Sequence, residues 1–414
     1  MEEFVKKSLF AILIIISIFN FNQNFAQDKK RDKGILSENK NEFWSLIIES
    51  IDSFNTKKTE KPKEFVIDLS NYDLPNAESK FTKFWHNDPV PQANTNSCWS
   101  FSTTSFYESE IFRQFGKKVK LSEMWTVYWE FVEKARGFVQ TRGEYFFRDG
   151  SESNAVKRIW QKYGIVPGEV FTGLLPGQKY LNTSDMFDEM EKYLQFVKAH
   201  SLWNEEEVLT TVKSIMNHWI GTPPQTFTLD GKTITPQQYL KDYLKINLSD
   251  YIEILSLKQE PNYKYVEYKV EDNWWHNKDY YNVPLDDFMK TIKDGIRKGY
   301  TICIGGDVSE PGKNSELDIF VVPTFDIPSE YIDEDSRQFR FSNNTTTDDH
   351  GIHIVGYLEK DGNDWYLIKD SGSGARNGKL KGYYIFSEDY VKLKMLDFTV
   401  HKDIVKELLS KEVK

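Results

Sequence analysis

The feature that most restricts what this chain can fold into is a change of texture near residue 260. Upstream, segments of helical length follow one another: Cys98 to Phe115, Leu121 to Ala135, Ser153 to Tyr163 and Asp185 to Met216. Pro223-Pro224 interrupts the series, and Pro236 to Lys245 resumes it. Downstream, after one more helical stretch at Pro284 to Lys298, the pattern turns to strands. Tyr300 to Ile304, His350 to Tyr357, Asp364 to Lys369 and Tyr383 to Phe386 carry β-branched and aromatic residues between Gly, Asp and Asn turns. A helical half followed by a strand-rich half predicts an α+β protein with a cleft between the halves. Its 29 Phe, 22 Tyr and 11 Trp can fill a large core, and a disordered chain would be depleted in them.

The N-terminus has a different character. Lys6 and Lys7 precede the apolar run Leu9 to Phe19, and a polar stretch ends at Asn24-Phe25-Ala26. This is the layout of a secretory signal peptide over residues 1–26, cleaved after Ala26. The run is short of the ~20 apolar residues that span a bilayer, although an uncleaved anchor is the competing reading. The mature chain is therefore expected to begin near Gln27, in the periplasm or outside the cell. Residues 27–62 are polar and Lys-rich and read as a mobile lead-in with one helical patch, Glu42 to Phe54. The Pro, Asn and Asp residues between Phe65 and Asn94 suit an extended segment laid over a surface.

A net charge of -10 with scattered basic residues offers no footprint for nucleic acid. No phosphate-binding glycine loop and no Cys/His spacing of a metal site occurs, so no cofactor and no metal is expected. Export permits disulfides, yet only Cys98 and Cys303 are present. They could be bridged, could both be inert, or one could be a working thiol.

Local context gives the last reading a physical basis for Cys98 and leaves the others open. It opens a helix that Asn96 or Ser97 can cap and Gly116 ends. Unpaired N–H groups and the helix dipole favour a thiolate there, against the bland alternative of a buried, inert Cys. His350 and Asp370 flank two strands joined through Glu359 to Asn363, and residue 360, their midpoint, falls inside that turn. A hairpin would put them roughly opposite each other, where a carboxylate can fix the tautomer and orientation of an imidazole. His353, three positions on, faces the other side and reads as structural. Gln92, six residues before Cys98, could donate to a developing oxyanion together with the Cys98 N–H.

The segment Gln92 to Ser102 (QANTNSCWSFS) resembles the nucleophile region of papain-like cysteine peptidases. Asp349 to Tyr357 (DHGIHIVGY) and Tyr366 to Gly374 (YLIKDSGSG) are similar to that family's histidine and orienter strands. The bleomycin hydrolase and aminopeptidase C branch is the closer likeness. Leu121 to Ala135, Gln161 to Pro167, Gly221 to Thr228, Thr235 to Leu240 and Gly305 to Ser309 all look like pieces of it in the same order. The resemblance implies a papain-like two-lobed fold over residues 63–402, with a helical insertion at about 180–260 and a tail at 403–414. It implies a thiol peptidase acting on peptides, commonly as an aminopeptidase in a homo-oligomer that is often hexameric. Cys98, His350 and Asp370 would be catalytic and Gln92 the oxyanion donor; Gly150, Ser151 and Asp349 would bind substrate.

Four departures accompany the match. Asp370 stands where relatives usually have Asn, and Gly372 follows Ser371 where a shielding Trp is usual. Ser151 replaces the second Gly of a pair that receives the substrate backbone, and only Lys402 to Lys414 follow His401 in a tail that limits relatives to free N-termini. The short tail keeps endopeptidase activity open. The changes at Asp370, Gly372 and Ser151 motivate the rival reading, a catalytically weak papain-fold protein that binds peptides. Cys303 is expected to pack as a small core residue.

Overall fold

The computed structural model describes residues 32–38, 41–51, 63–145 and 147–411. The expected signal peptide lies outside them.

The helical half forms as its patterns require. Helix Cys98–Phe115 ends at Gly116, which adopts a left-handed conformation. Ser97 stands at its cap position, but its hydroxyl accepts no helix N–H. Helices Glu123–Gln140 and Ser153–Tyr163 pack against it around Phe106, Tyr107, Trp125 and Trp160. The stretch expected as one helix over Asp185 to Met216 is two, Ser184–Ala199 and Glu205–Ile220. The break is local chemistry: Ser201 is left-handed, and the Asn204 side chain accepts from the Glu207 N–H to start the second helix.

The strand-rich half is a large mixed sheet. From one side its strands run Lys313–Asn314, Ile319–Phe320, Tyr383–Ser387, Asn363–Lys369, His350–Lys360, Ile302–Gly306, Met395–His401, Tyr251–Leu255, Tyr280–Asn282 and Lys264–Val266. Tyr251–Leu255 lies inside the stretch read as helical insertion, yet it pairs with Met395–His401 and Tyr280–Asn282 as an interior strand. Period-two alternation divides the sheet's faces. Ile302, Ile304, Ile352 and Ile354 pack against helices Leu285–Arg297 and Lys402–Leu409. On the other face, Cys303 and His353 meet helix Cys98–Phe115 through Thr103, Ser105 and Phe106. One helix laid across the sheet thus brings Cys98 and His350 to one end of their shared interface.

Part of the lead-in is ordered against this body. Strand Gly34–Glu38 pairs antiparallel with Lys63–Ile67, and helix Glu42–Ile51 is joined to the loop after Asp370 by Asn41 to Ser373 and Phe43 N–H to Asn377 bonds. A run of polar residues carries no signal for contacts made more than 300 positions away.

Candidate active site

The His350 strand can reach the start of the Cys98 helix because Gly351 has no side chain. A Cβ there would stand 2.9 Å from Ser102 Oγ and 3.3 Å from the Trp99 Cα. In this position His350 lines the same cleft as Cys98, while its Nε2 lies 3.0 Å from Asp370 Oδ1. The imidazole is 13% exposed and the Asp370 side chain 5%.

His350 and Asp370 are diagonal rather than directly opposite. The turn tightens onto Asp361 and Gly362, both left-handed, and Lys360 pairs with Asn363. A bulge between Ile354 and Gly356 shifts the register, so that His353 faces Lys369. Continued by one residue, that register sets Asp370 across from Ile352. Diagonal neighbours on one face remain within reach of long side chains, and His350 closes the gap.

The electrostatics of the trio follow from its burial and charge. Burial disfavours the imidazolium, but Asp370 and Cys98 outweigh it and hold the His350 pKa well above its ordinary value. Burial likewise opposes ionisation of Asp370, and His350 together with the Gly372 N–H, 2.5 Å from Oδ1, brings its pKa below the usual carboxylate value. The arrangement suits a thiolate–imidazolium pair with a carboxylate behind it.

Asp370 is shielded without a Trp. Arg376 donates to the carbonyls of Asp370 (3.3 Å) and Gly372 (2.8 Å), and its guanidinium stands 5.5 Å from the Phe43 ring on helix Glu42–Ile51. The N-terminal helix and Arg376 therefore close this side of the acid. No local pattern links Phe43 to Arg376, so neither is recognisable in the sequence.

Gln92 is held with its amide aimed at the same cleft. Ser371 Oγ donates to Gln92 Oε1 at 2.7 Å, and Gln92 Nε2 donates to the Thr95 carbonyl at 2.6 Å. An amide nitrogen carries two hydrogens, so one remains for a ligand in the cleft that Gln92 lines with Cys98 and His350. Ser371 was legible only as the neighbour of Asp370; its hydrogen bond depends on how two distant segments meet.

The other candidates sit around this centre. Gly150 and Asp349 line the cleft, and Ser151 lines its deeper part. The Ser151 hydroxyl does not project into the substrate path: it is buried and donates to Glu130 Oε1 at 2.7 Å. Asp349 accepts the Val308 N–H at 2.9 Å. His353 is fully buried, bonded to Ser105 at 2.9 Å, and burial with the Lys369 charge keeps it neutral. Cys98 and Cys303 are both free. Burial pushes the Cys303 thiol up to about 12, as expected of a packed residue beside Thr103.

The comparisons agree with this construction. The model of the Peptidase C1-like family matches residues 66–414. The chain belongs to that family. Within it, this protein is a cysteine peptidase of the aminopeptidase C branch. It is 23% identical over 376 residues to Aminopeptidase C of Lactococcus lactis subsp. cremoris, covering 81% of this chain and 84% of the relative. With Aminopeptidase C of Listeria innocua it shares 22% identity over 426 residues, covering 89% and 94%. The crystal structure of PepW from Lactobacillus rhamnosis superposes with a TM-score of 0.63 at 18% identity, covering 80% and 85% of the two chains, and supports the papain-like fold.

Proposed function

We propose that this peptidase is exported and removes residues from the free amino end of peptides, with Cys98 as nucleophile. The observation that carries the reaction is the His350 ring bonded to Asp370 and lining the same cleft as Cys98. The Cys98 thiolate attacks the scissile carbonyl carbon, and the oxyanion takes hydrogen bonds from the free Gln92 N–H and the Cys98 backbone N–H. As the C–N bond breaks, imidazolium His350 gives its proton to the leaving amine. Water then attacks the thioester, passes a proton to His350 and releases the acid and the Cys98 thiolate. Gly150, Ser151 and Asp349 would line the path of the peptide.

Exopeptidase action is favoured by the names of the relatives, each called an aminopeptidase. The described part of the tail supplies no such limit of its own. Helix Lys402–Leu409 packs through Val405 and Leu408 into the core beside Leu285–Arg297, and the Tyr281 hydroxyl donates to the Leu408 carbonyl at 3.4 Å. Fluorogenic dipeptides with free and acetylated amino ends provide the test. The free forms should be cleaved at least about tenfold faster. Equal rates would overturn the exopeptidase reading, and absent cleavage with no labelling of Cys98 by a thiol-reactive epoxide would overturn its role.

Export is supported by the Lys6-Lys7, Leu9 to Phe19 and Ala26 pattern. N-terminal sequencing of protein from cell fractions should find a start near Gln27 outside the cytoplasm, whereas an intact Met1 inside it would contradict export. The oligomer implied by the resemblance is checked by light scattering, where a monomer at working concentration would overturn it.

The Gln92 amide gives a finer prediction. Ser371→Ala removes the bond that fixes its orientation, so kcat should fall by about 5-fold, the value of one neutral hydrogen bond, with little change in KM. An equal loss entered wholly in KM would assign Ser371 to substrate binding instead.

A further inference from the structure

The cover over Asp370 comes from a segment that precedes the family match, which begins at residue 66. Helix Glu42–Ile51 reaches both halves of the molecule. Ile47 is fully buried in the core of the helical half, and Phe43 and Trp44 pack against the same cluster. Towards the sheet, Asn41 Nδ2 donates to Ser373 Oγ at 2.9 Å and the Phe43 N–H to Asn377 Oδ1 at 3.4 Å. The Phe43 ring lies between the halves: it meets Tyr180 edge-on at 5.7 Å and stands 5.5 Å from the Arg376 guanidinium.

Arg376 carries this contact to the acid. Its Nη1 donates to the Asp370 carbonyl at 3.3 Å and to the Gly372 carbonyl at 2.8 Å, which fixes the turn that presents the carboxylate. Its Nη2 is buried without a hydrogen-bond partner, so packing against Phe43 has to hold that side of the guanidinium. Residue 372 is badly placed to shield the acid itself, since a Cβ there would stand 3.0 Å from Asp370 Oδ1 and 3.7 Å from His350 Cε1. Asp370 is faced by His350, Lys313, Tyr384 and Arg376, while Cys98 and Asp349 bear on His350. A carboxylate kept from water attracts an imidazolium strongly, and a hydrated one is screened.

We propose that Phe43 and Arg376 are positioning residues of this peptidase: the N-terminal helix clamps the guanidinium onto the Asp370 turn and keeps water from the carboxylate that orients His350. The proposal deepens the peptidase reading and rests on it. It makes the segment ahead of the family match a working part of the active site. Both residues act through Asp370 and not on the substrate.

The experiment follows two quantities against pH in the full chain and in Phe43→Ala, Arg376→Met and Arg376→Lys: kcat/KM on a fluorogenic dipeptide, and the rate of Cys98 alkylation by iodoacetamide. Phe43→Ala opens the cover with every charge in place. It should lower kcat by about tenfold with KM changed by less than about twofold, and move the alkaline limb of both profiles down by about one pH unit. Arg376→Met should lose at least as much kcat, and Arg376→Lys, which keeps the charge and its donors, should recover most of it. An alkaline limb that stays in place or rises in Phe43→Ala would overturn the proposal while leaving the peptidase intact. A lowered melting temperature with both profiles unchanged would give the helix a purely structural role and overturn it equally. Melting curves identify any variant that does not fold, and Phe43→Ala, at a half-buried position, decides the matter alone if Arg376→Met is lost. If the parent cleaves no peptide, the peptidase reading fails, and the alkylation profile still tests the clamp without substrate.

Discussion

Replacing Cys98 with Ala is expected to lower kcat by about 10⁴-fold or more, the scale on which removal of a nucleophile acts in acyl-transfer triads. Gln92, His350 and Asp370 would remain, but none of them forms the thioester through which the proposed reaction divides. Cys98→Ser should fare little better, because an alcohol beside His350 is not ionised near neutral pH and the site is arranged around an imidazolium. The folded state should change little, since Cys98 is half-buried at a helix start and forms no disulfide. Single-turnover hydrolysis with protein concentration fixed by absorbance checks this. Residual kcat within tenfold of the parent would mean that another group attacks the substrate.

Asp370 carries the second large effect and has a definite pH signature. Its negative charge, with that of the thiolate, holds His350 well above its ordinary pKa despite burial. The reactive ion pair should therefore persist to more alkaline pH than a neutral orienter would allow. Asp370→Asn keeps a hydrogen-bond acceptor but removes the charge, so His350 loses its proton at lower pH. The alkaline limb of kcat/KM moves down, and activity at mildly acidic pH is largely kept. Asp370→Ala removes both charge and orientation, and kcat should fall by about 10²-fold at its optimum. A pH series of kcat/KM on the three proteins separates these outcomes. An alkaline limb that stays in place or rises in Asp370→Asn would show that the carboxylate does not support the imidazolium.

The rival reading of a weakened peptide-binding protein drew on Asp370, Gly372 and Ser151. In the folded chain each change has a local accommodation. Asp370 receives the Gly372 N–H and stays 5% exposed behind Arg376 and the Phe43 helix. Ser151 turns its hydroxyl away from the cleft to Glu130.

Much of this was legible in the residues themselves. Helices Cys98–Phe115 and Ser153–Tyr163, the strands around His350 and Asp370, and the placement of Cys98 at a helix start are all local outcomes of breakers, periodicity and strand propensity. Backbone preference and side-chain spacing act over a few residues, and a sequence displays them directly. What only the tertiary structure decided depends on contacts between remote segments. The bulge after Ile354 made His350 and Asp370 diagonal partners, and Ser371 found Gln92 across 279 positions. Strand Tyr251–Leu255 became an interior strand through Met395–His401, more than a hundred residues downstream. The acids of the cleft belong to the same class: Glu152, Asp348 and Asp397 carry no signal apart, and only the fold gathers them beside Cys98.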